Sequence, residues 1–186
     1  PCSINDIIVK GVALAVREFP AFRSRIEGDD QVTLDATPLG IAVGAAAGVV
    51  VPVLLNADAL SLRELAAEAK RLIHLAKEKR IENMGRGVFS VSNLGMFGVD
   101  EFTAIINPPE SGILAVGGIR EEMVVQKGVA IPSKTLTLTL SCDHRVVDGK
   151  AAALFLKRIV EVLEAPTVHL AQVNGHATTP QIEVGR

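Results

Sequence analysis

Apolar residues return at helical spacing in three stretches of the chain. Ile4, Ile7, Ile8 and Val12 follow Ser3, which with Asp6 makes a capping pattern in which Asp stands for the usual Glu. This predicts a helix over about Ile4–Glu18, ended by Pro20. A second capping pattern, Ser61-Leu-Arg-Glu64, precedes Leu62, Leu65, Ala66, Ala69, Leu72, Ile73 and Ala76 and predicts an amphipathic helix of several turns. Ala153, Leu154, Leu156, Ile159, Val160 and Leu163 place a third over Gly149–Leu163. Between the helices the period shortens. Strands are predicted at Gln31–Leu34, at Gly40–Leu55 with Gly44 and Gly48 as bends or close-packing points, at Val88–Ser92 and at Gly112–Gly117. Met123–Val125 and Lys134–Leu140 read as a hairpin about Lys127-Gly128. The order predicts a layered α/β or α+β domain over residues 1–166, with residues 167–186, which include Gly175, His176, Thr178, Thr179 and Pro180, as a polar tail or docking arm.

Composition narrows the partners. With 186 residues and 48% hydrophobic content, the chain is long enough to bury one core. A formal net charge of −2, from 19 Lys+Arg against 21 Asp+Glu, gives no basic field for nucleic acid, and the absence of Trp and Tyr removes stacking platforms. The uncharged run Leu39–Leu55 is broken by Gly40, Gly44, Gly48 and Pro52, so it reads as buried strand and not as a membrane span. Cys2 and Cys142 make neither a disulfide framework nor a metal ladder, which fits a reducing interior. The opening Pro-Cys-Ser, with neither an initiator Met nor a signal pattern, is read as the start of a fragment or processed product. The charged residues among Arg63–Arg80 read as a solvated helix face, and His74 as a surface or boundary residue on it.

Candidate chemistry gathers at Ser141-Cys-Asp143-His144-Arg-Val-Val-Asp148-Gly149, directly after the Lys134–Leu140 strand. This places His144 at a strand end as a candidate general base. Either Asp143 or Asp148 is close enough in sequence to orient its ring, and spacing does not choose between them. There is no dinucleotide or Walker phosphate loop. Asn93-Leu-Gly95-Met-Phe-Gly98 and Ile105-Ile-Asn-Pro-Pro109 are constrained loops, the first suited to lie beside a ligand.

Three segments in order, Phe89-Ser-Val-Ser-Asn-Leu-Gly-Met-Phe-Gly98, Phe102-Thr-Ala-Ile-Ile-Asn-Pro-Pro109 and Asp143-His-Arg-Val-Val-Asp-Gly149, resemble the catalytic domain of the dihydrolipoamide acyltransferases, the E2 cores of 2-oxo acid dehydrogenase complexes. Ser3-Ile-Asn-Asp6 and Gly48-Val-Val-Val-Pro52 look like further landmarks, so that the resemblance runs from about Ser3 to Pro166. It implies a chloramphenicol acetyltransferase-like fold, a mixed sheet with helices packed on it, and acyl transfer between dihydrolipoamide and coenzyme A without a metal. His144 matches the family's general base, Ser92 the hydroxyl that supports the tetrahedral intermediate, and Asp148 the acidic position of the motif. The resemblance further implies a homotrimer with sites between subunits, assembled into a cage with E1, E3 and a lipoyl group carried on a separate domain, in bacterial cytoplasm or the mitochondrial matrix. Against that family the chain begins inside the expected domain. Acetyl is the first choice of acyl group and a branched-chain acyl group the second. A chloramphenicol-type O-acetyltransferase and a non-catalytic E2-like scaffold are the rival classes.

Overall fold

Both expected capping boxes close. Ser3 Oγ accepts from the Asp6 backbone N–H at 3.2 Å while the Asp6 carboxylate accepts from Ser3 N at 2.7 Å, opening α1 (Ile4–Glu18). The computed structural model describes residues 2–45 and 48–170. After α1 come the strands β1 (Ser24–Glu27), β2 (Asp30–Thr33), β3 (Leu39–Ile41), β4 (Val43–Ala45), β5 (Gly48–Val50) and β6 (Val53–Leu54). Then follow α2 (Leu62–Lys77), β7 (Phe89–Asn93), β8 (Gly112–Val116), β9 (Arg120–Gln126), β10 (Val129–Thr135) and β11 (Leu138–Cys142). The helices α3 (Gly149–Glu164) and α4 (Pro166–Leu170) follow, and short 3-10 turns lie at Pro20–Arg23 and Gly95–Phe97.

The central sheet runs β11-β8-β7-β3-β6. Its middle strands β3, β7 and β8 are parallel, and β6 and β11 join antiparallel at the edges. This mixed sheet with helices packed on it is the architecture expected. Successive residues face opposite sides of a strand. On β7, Phe89 and Val91 therefore enter the main core with α1, α2 and α3, while Ser90 and Ser92 lie in register with Ile113 and Ala115 of β8 on the other side. That second side is covered by the segment carrying Phe102, Ala104 and Ile106. The main core contains four phenylalanines: Phe155 of α3 stacks on Phe22 at 3.7 Å between centroids and meets Phe89 and Phe19 edge-on.

Two sequence expectations change. The run Gly40–Leu55 is not one bent strand but four short ones, because β4 and β5 fold back on each other as a separate ribbon and leave only β3 and β6 in the central sheet. The hairpin does turn at Lys127 and Gly128, both at positive φ, yet its second strand is Val129–Thr135. Leu138–Cys142, which the sequence joined to the hairpin, instead pairs with β8. β1 was not anticipated; its sequence Ser-Arg-Ile-Glu carries too little apolar alternation to announce a strand. The short helix Pro166–Leu170 packs on α3 and α1 and takes in the first residues of the expected tail, 167–170; the rest of that tail lies outside the described residues. No described helix is long and apolar enough to cross a membrane.

Candidate active site

His144 stands on a short loop held at both ends. Asp143 N donates to Ser111 O at 2.8 Å, the N–H groups of Val146 and Val147 return to Asp143 O at 3.0 Å, and Val147 is buried in the core. A tip fixed this way leaves the imidazole exposed, and among the described residues it makes no side-chain hydrogen bond. The two neighbouring carboxylates are engaged elsewhere. Asp143 accepts from Arg145 Nε at 3.0 Å and Nη2 at 2.6 Å, which holds its carboxyl below the usual carboxylate range. Asp148 is the N-cap of α3, its Oδ1 accepting from Ala151 N at 2.8 Å. Both acids therefore shape the loop that carries His144, and neither bonds its ring. Cys142, at the end of β11, has its thiol pushed up by burial and by Asp143.

Ser92 is half-buried near the carboxyl end of β7, opposite Ala115. It lines an open cleft of about 1030 Å³ with Ser3, Asn5, Lys77, Asn93 and Met96. The cleft lies past the carboxyl ends of the parallel strands, where open α/β sheets bind ligands. Its floor is largely apolar, with Ile41, Val43 and Leu136 among the residues that face it. Asn93 uses both ends of its amide: Oδ1 accepts from Gly95 N and Nδ2 donates to Asn5 Oδ1, each at 2.9 Å.

The structure does not bring His144 and Ser92 together within one chain. Cys142 pairs with Gly112, which pairs with Phe89, so β11 ends at the edge where β7 begins. From there Ser92 is three residues along and two strands across, on the order of 14 Å at ordinary strand spacing, and His144 lies two residues further out. His144 is not among the residues that line the cleft.

Two buried groups escaped the sequence reading. Glu110 is 2% exposed and receives hydrogen bonds from Ser90 Oγ at 2.5 Å and Asn107 Nδ2 at 3.1 Å. Burial pushes its carboxyl above the usual range, against the pull of those two donors. A Cβ at Gly87 would come within 2.5 Å of Glu110 Oε1, so the glycine makes room for the acid. Lys10 is fully buried on α1. The helical period hides it, because it groups Lys10 with Asp6 and Arg17 on the side of α1 opposite Ile8 and Val12. Among the described residues, no three His, Cys, Asp or Glu side chains are grouped to hold a metal ion.

Residues 1–171 match the 2-oxoacid dehydrogenases acyltransferase catalytic domain. The chain belongs to this family. Among curated relatives, the acetyltransferase component of the Zymomonas mobilis pyruvate dehydrogenase complex is 38% identical over 91% of this chain and 39% of the relative. The succinyltransferase component of the yeast (Saccharomyces cerevisiae) 2-oxoglutarate dehydrogenase complex is also 38% identical, over 84% of this chain and 34% of the relative. The chain thus spans well under half the length of these relatives. Two solved structures each superpose with a TM-score of 0.84 at 34% identity, covering 90% of this chain and 70% of theirs. One is the cubic core of a pyruvate dehydrogenase complex, the other the Azotobacter vinelandii dihydrolipoamide acetyltransferase. Chloramphenicol acetyltransferase matches at 19% identity over 87% of this chain and 78% of its own, with a TM-score of 0.56, which establishes the shared fold.

The Azotobacter structure was determined to examine a serine, a histidine and an asparagine in catalysis. In that protein the serine and histidine are as far apart in sequence as Ser92 and His144, and the asparagine stands four residues after the histidine, where this acyltransferase domain has Asp148. Asn and Asp cap helices about equally well. Asp148→Asn is accordingly expected to keep the thermal stability of the domain within a few tenths of a kcal/mol, and Asp148→Ala to lower it by about 0.5–2 kcal/mol. Equal unfolding midpoints for the two variants would remove the capping role.

Proposed function

We propose that this domain moves an acyl group, acetyl first, between a dihydrolipoyl thiol and coenzyme A, with His144 as general base and Ser92 as the donor to the oxyanion. The observation that carries this reading is the placement of an exposed imidazole at one end of the sheet and a half-buried hydroxyl, set in a cleft, at the other. One chain holds two half-sites. A second copy arranged head to tail brings His144 of one against Ser92 of the next, and a ring of such contacts closes as a trimer. We propose in addition a larger cage that serves E1, E3 and a separate lipoyl domain, in bacterial cytoplasm or the mitochondrial matrix; a neighbour that is a cubic complex core and relatives named as components of dehydrogenase complexes, one of them mitochondrial, support the assembly.

A thiol with a pKa of ~8.5 is mostly protonated at neutral pH. Neutral His144 removes that proton as the sulfur attacks the thioester carbonyl, whose π electrons move onto oxygen. The Ser92 hydroxyl donates a hydrogen bond to this oxyanion. Collapse of the tetrahedral intermediate restores the carbonyl, breaks the second carbon–sulfur bond and returns the proton from the imidazolium to the departing thiolate. The two thioesters are close in energy, so positioning carries much of the rate.

The reading is tested by assaying acetyl-CoA, succinyl-CoA and isobutyryl-CoA with dihydrolipoamide, and acetyl-CoA with chloramphenicol. Acetyl transfer to dihydrolipoamide is expected to be fastest. Succinyl transfer winning would move the acyl assignment, as would isobutyryl, and transfer to neither acceptor from a correctly assembled oligomer would leave only a scaffold. Ser92→Ala is expected to lower kcat about 10²–10³-fold with little change in the KM for coenzyme A, the loss expected of one oxyanion donor. An unchanged kcat in that variant would strike Ser92 from the mechanism.

A further inference from the structure

Lys10 is 0% exposed in the middle of α1, a residue type that is almost never fully buried without partners. Its Nζ donates to the carbonyl oxygens of Ala57 at 3.3 Å, Asp58 at 2.7 Å and Leu60. An ammonium has three donors, and three acceptors use all of them. These carbonyls belong to the turn between β6 and α2, directly before the N-cap Ser61, so the clamp fixes where α2 starts relative to α1. The same two helices wall the cleft that contains Ser92: Ser3, Asn5 and Ile8 come from the start of α1, and Ile73 and Lys77 from the end of α2. Asn5 Oδ1 then accepts from Asn93 Nδ2, one residue beyond Ser92 on β7.

Building on the acyl-transfer reading, we propose that Lys10 is a positioning residue: its ammonium sets the α1–α2 wall, and the Asn5–Asn93 hydrogen bond passes that setting to the Ser92 end of β7. Loss of one proton would leave two N–H donors for three carbonyls and slacken the wall. The charged groups that act on Lys10 are Asp58 in the turn, Arg17 further along α1 and Glu64 in the first turn of α2. Burial is the largest influence and brings Lys10 from 10.5 down to about 8, with Asp58 and Glu64 opposing and Arg17 assisting. The sign for stability is opposite to that for positioning. Between pH of about 8 and 10.5 the folded chain holds Lys10 neutral while the unfolded chain keeps it charged, so this group's contribution to stability rises across that window. Activity is expected to fall there without any weakening of the fold from this residue.

The test compares the full-length protein with Lys10→Met, which keeps the length and apolar stem but has no proton to lose. At about pH 7 the variant is expected to show about tenfold lower kcat with KM unchanged, since a misplacement of 1 Å can cost ~10²-fold. The ratio of wild-type to variant kcat should then shrink toward unity by about pH 9.5, a comparison in which titration of the substrate thiol cancels. Hydrogen exchange supplies a readout that needs no acyl transfer. Protection of the Leu94 and Gly95 amides, which donate to Val116 O and Asn93 Oδ1, should fall in the variant. Should Lys10→Met fail to fold, Asn5→Ala cuts the link while leaving the clamp, and should lower both kcat and Gly95 protection. A folded Lys10→Met with wild-type protection and a pH-independent rate ratio overturns the proposal, as does an Asn5→Ala protein with wild-type kcat and protection. A wild-type protein that transfers no acyl group sinks the activity reading alone, and the protection data still decide the role of Lys10.

Discussion

His144→Ala is expected to lower acyl transfer by about 10²–10⁴-fold, the usual worth of a placed general base, while leaving assembly intact. Its ring is exposed and makes no side-chain hydrogen bond among the described residues, so its removal should not disturb the loop that Ser111, Val147 and Asp148 hold. Mixing tests the shared site directly. A chain with His144→Ala keeps Ser92, and a chain with Ser92→Ala keeps His144. In oligomers formed from equal amounts of the two, about a quarter of head-to-tail contacts join an intact histidine to an intact serine. Activity near a quarter of wild type, from two variants each reduced a hundredfold or more, is therefore the expected result. A mixture no more active than the sum of its parts would mean that both residues must come from one chain, and the arrangement proposed would fail.

Phe155→Ala is expected to cost about 3–5 kcal/mol, against a total stability of about 5–15 kcal/mol for a domain of this kind. The ring is fully buried, stacked on Phe22 and met edge-on by Phe19 and Phe89, so its loss empties the place where α3, α1 and β7 converge. Aromatic pairs of this geometry add to area burial. The effect should reach the chemistry as well, because α3 begins at Asp148 and a loosened helix frees the His144 loop. Chemical denaturation of wild type and variant gives the measurement. A loss under about 1 kcal/mol would show that neighbouring side chains refill the site.

The helices were legible because their information is local. Capping pairs at Ser3 and Ser61 and the 3.6-residue period place α1 and α2 within a residue of where they lie, and α3 runs only one residue past its expected end. The sheet was legible only in pieces. Nothing near Leu138 announces that it pairs with Val116 in place of continuing the hairpin, since strand partners are chosen by packing across the chain. The same limit applies to the site. His144 and Ser92 stand out by residue type and motif, but their separation follows from strand order, which puts β8 between β7 and β11 and points β11 the opposite way. Asn93 was visible as part of a turn, whereas its bond to Asn5 depends on α1 packing beside β7.

The parallel pairing of β3 with β7 joins Leu39 to Phe89 and Ile41 to Val91. During synthesis at about 5–20 residues per second, Leu39 waits roughly 3–10 s before its neighbour has even been made. Throughout that interval the uncharged, valine-rich run Leu39–Leu55 is a loose sticky ribbon on the nascent chain, interrupted only by its glycines and Pro52. A ribosome stalled before Gly87 should therefore recruit a holdase to this ribbon, and one stalled well beyond Cys142 should have released it.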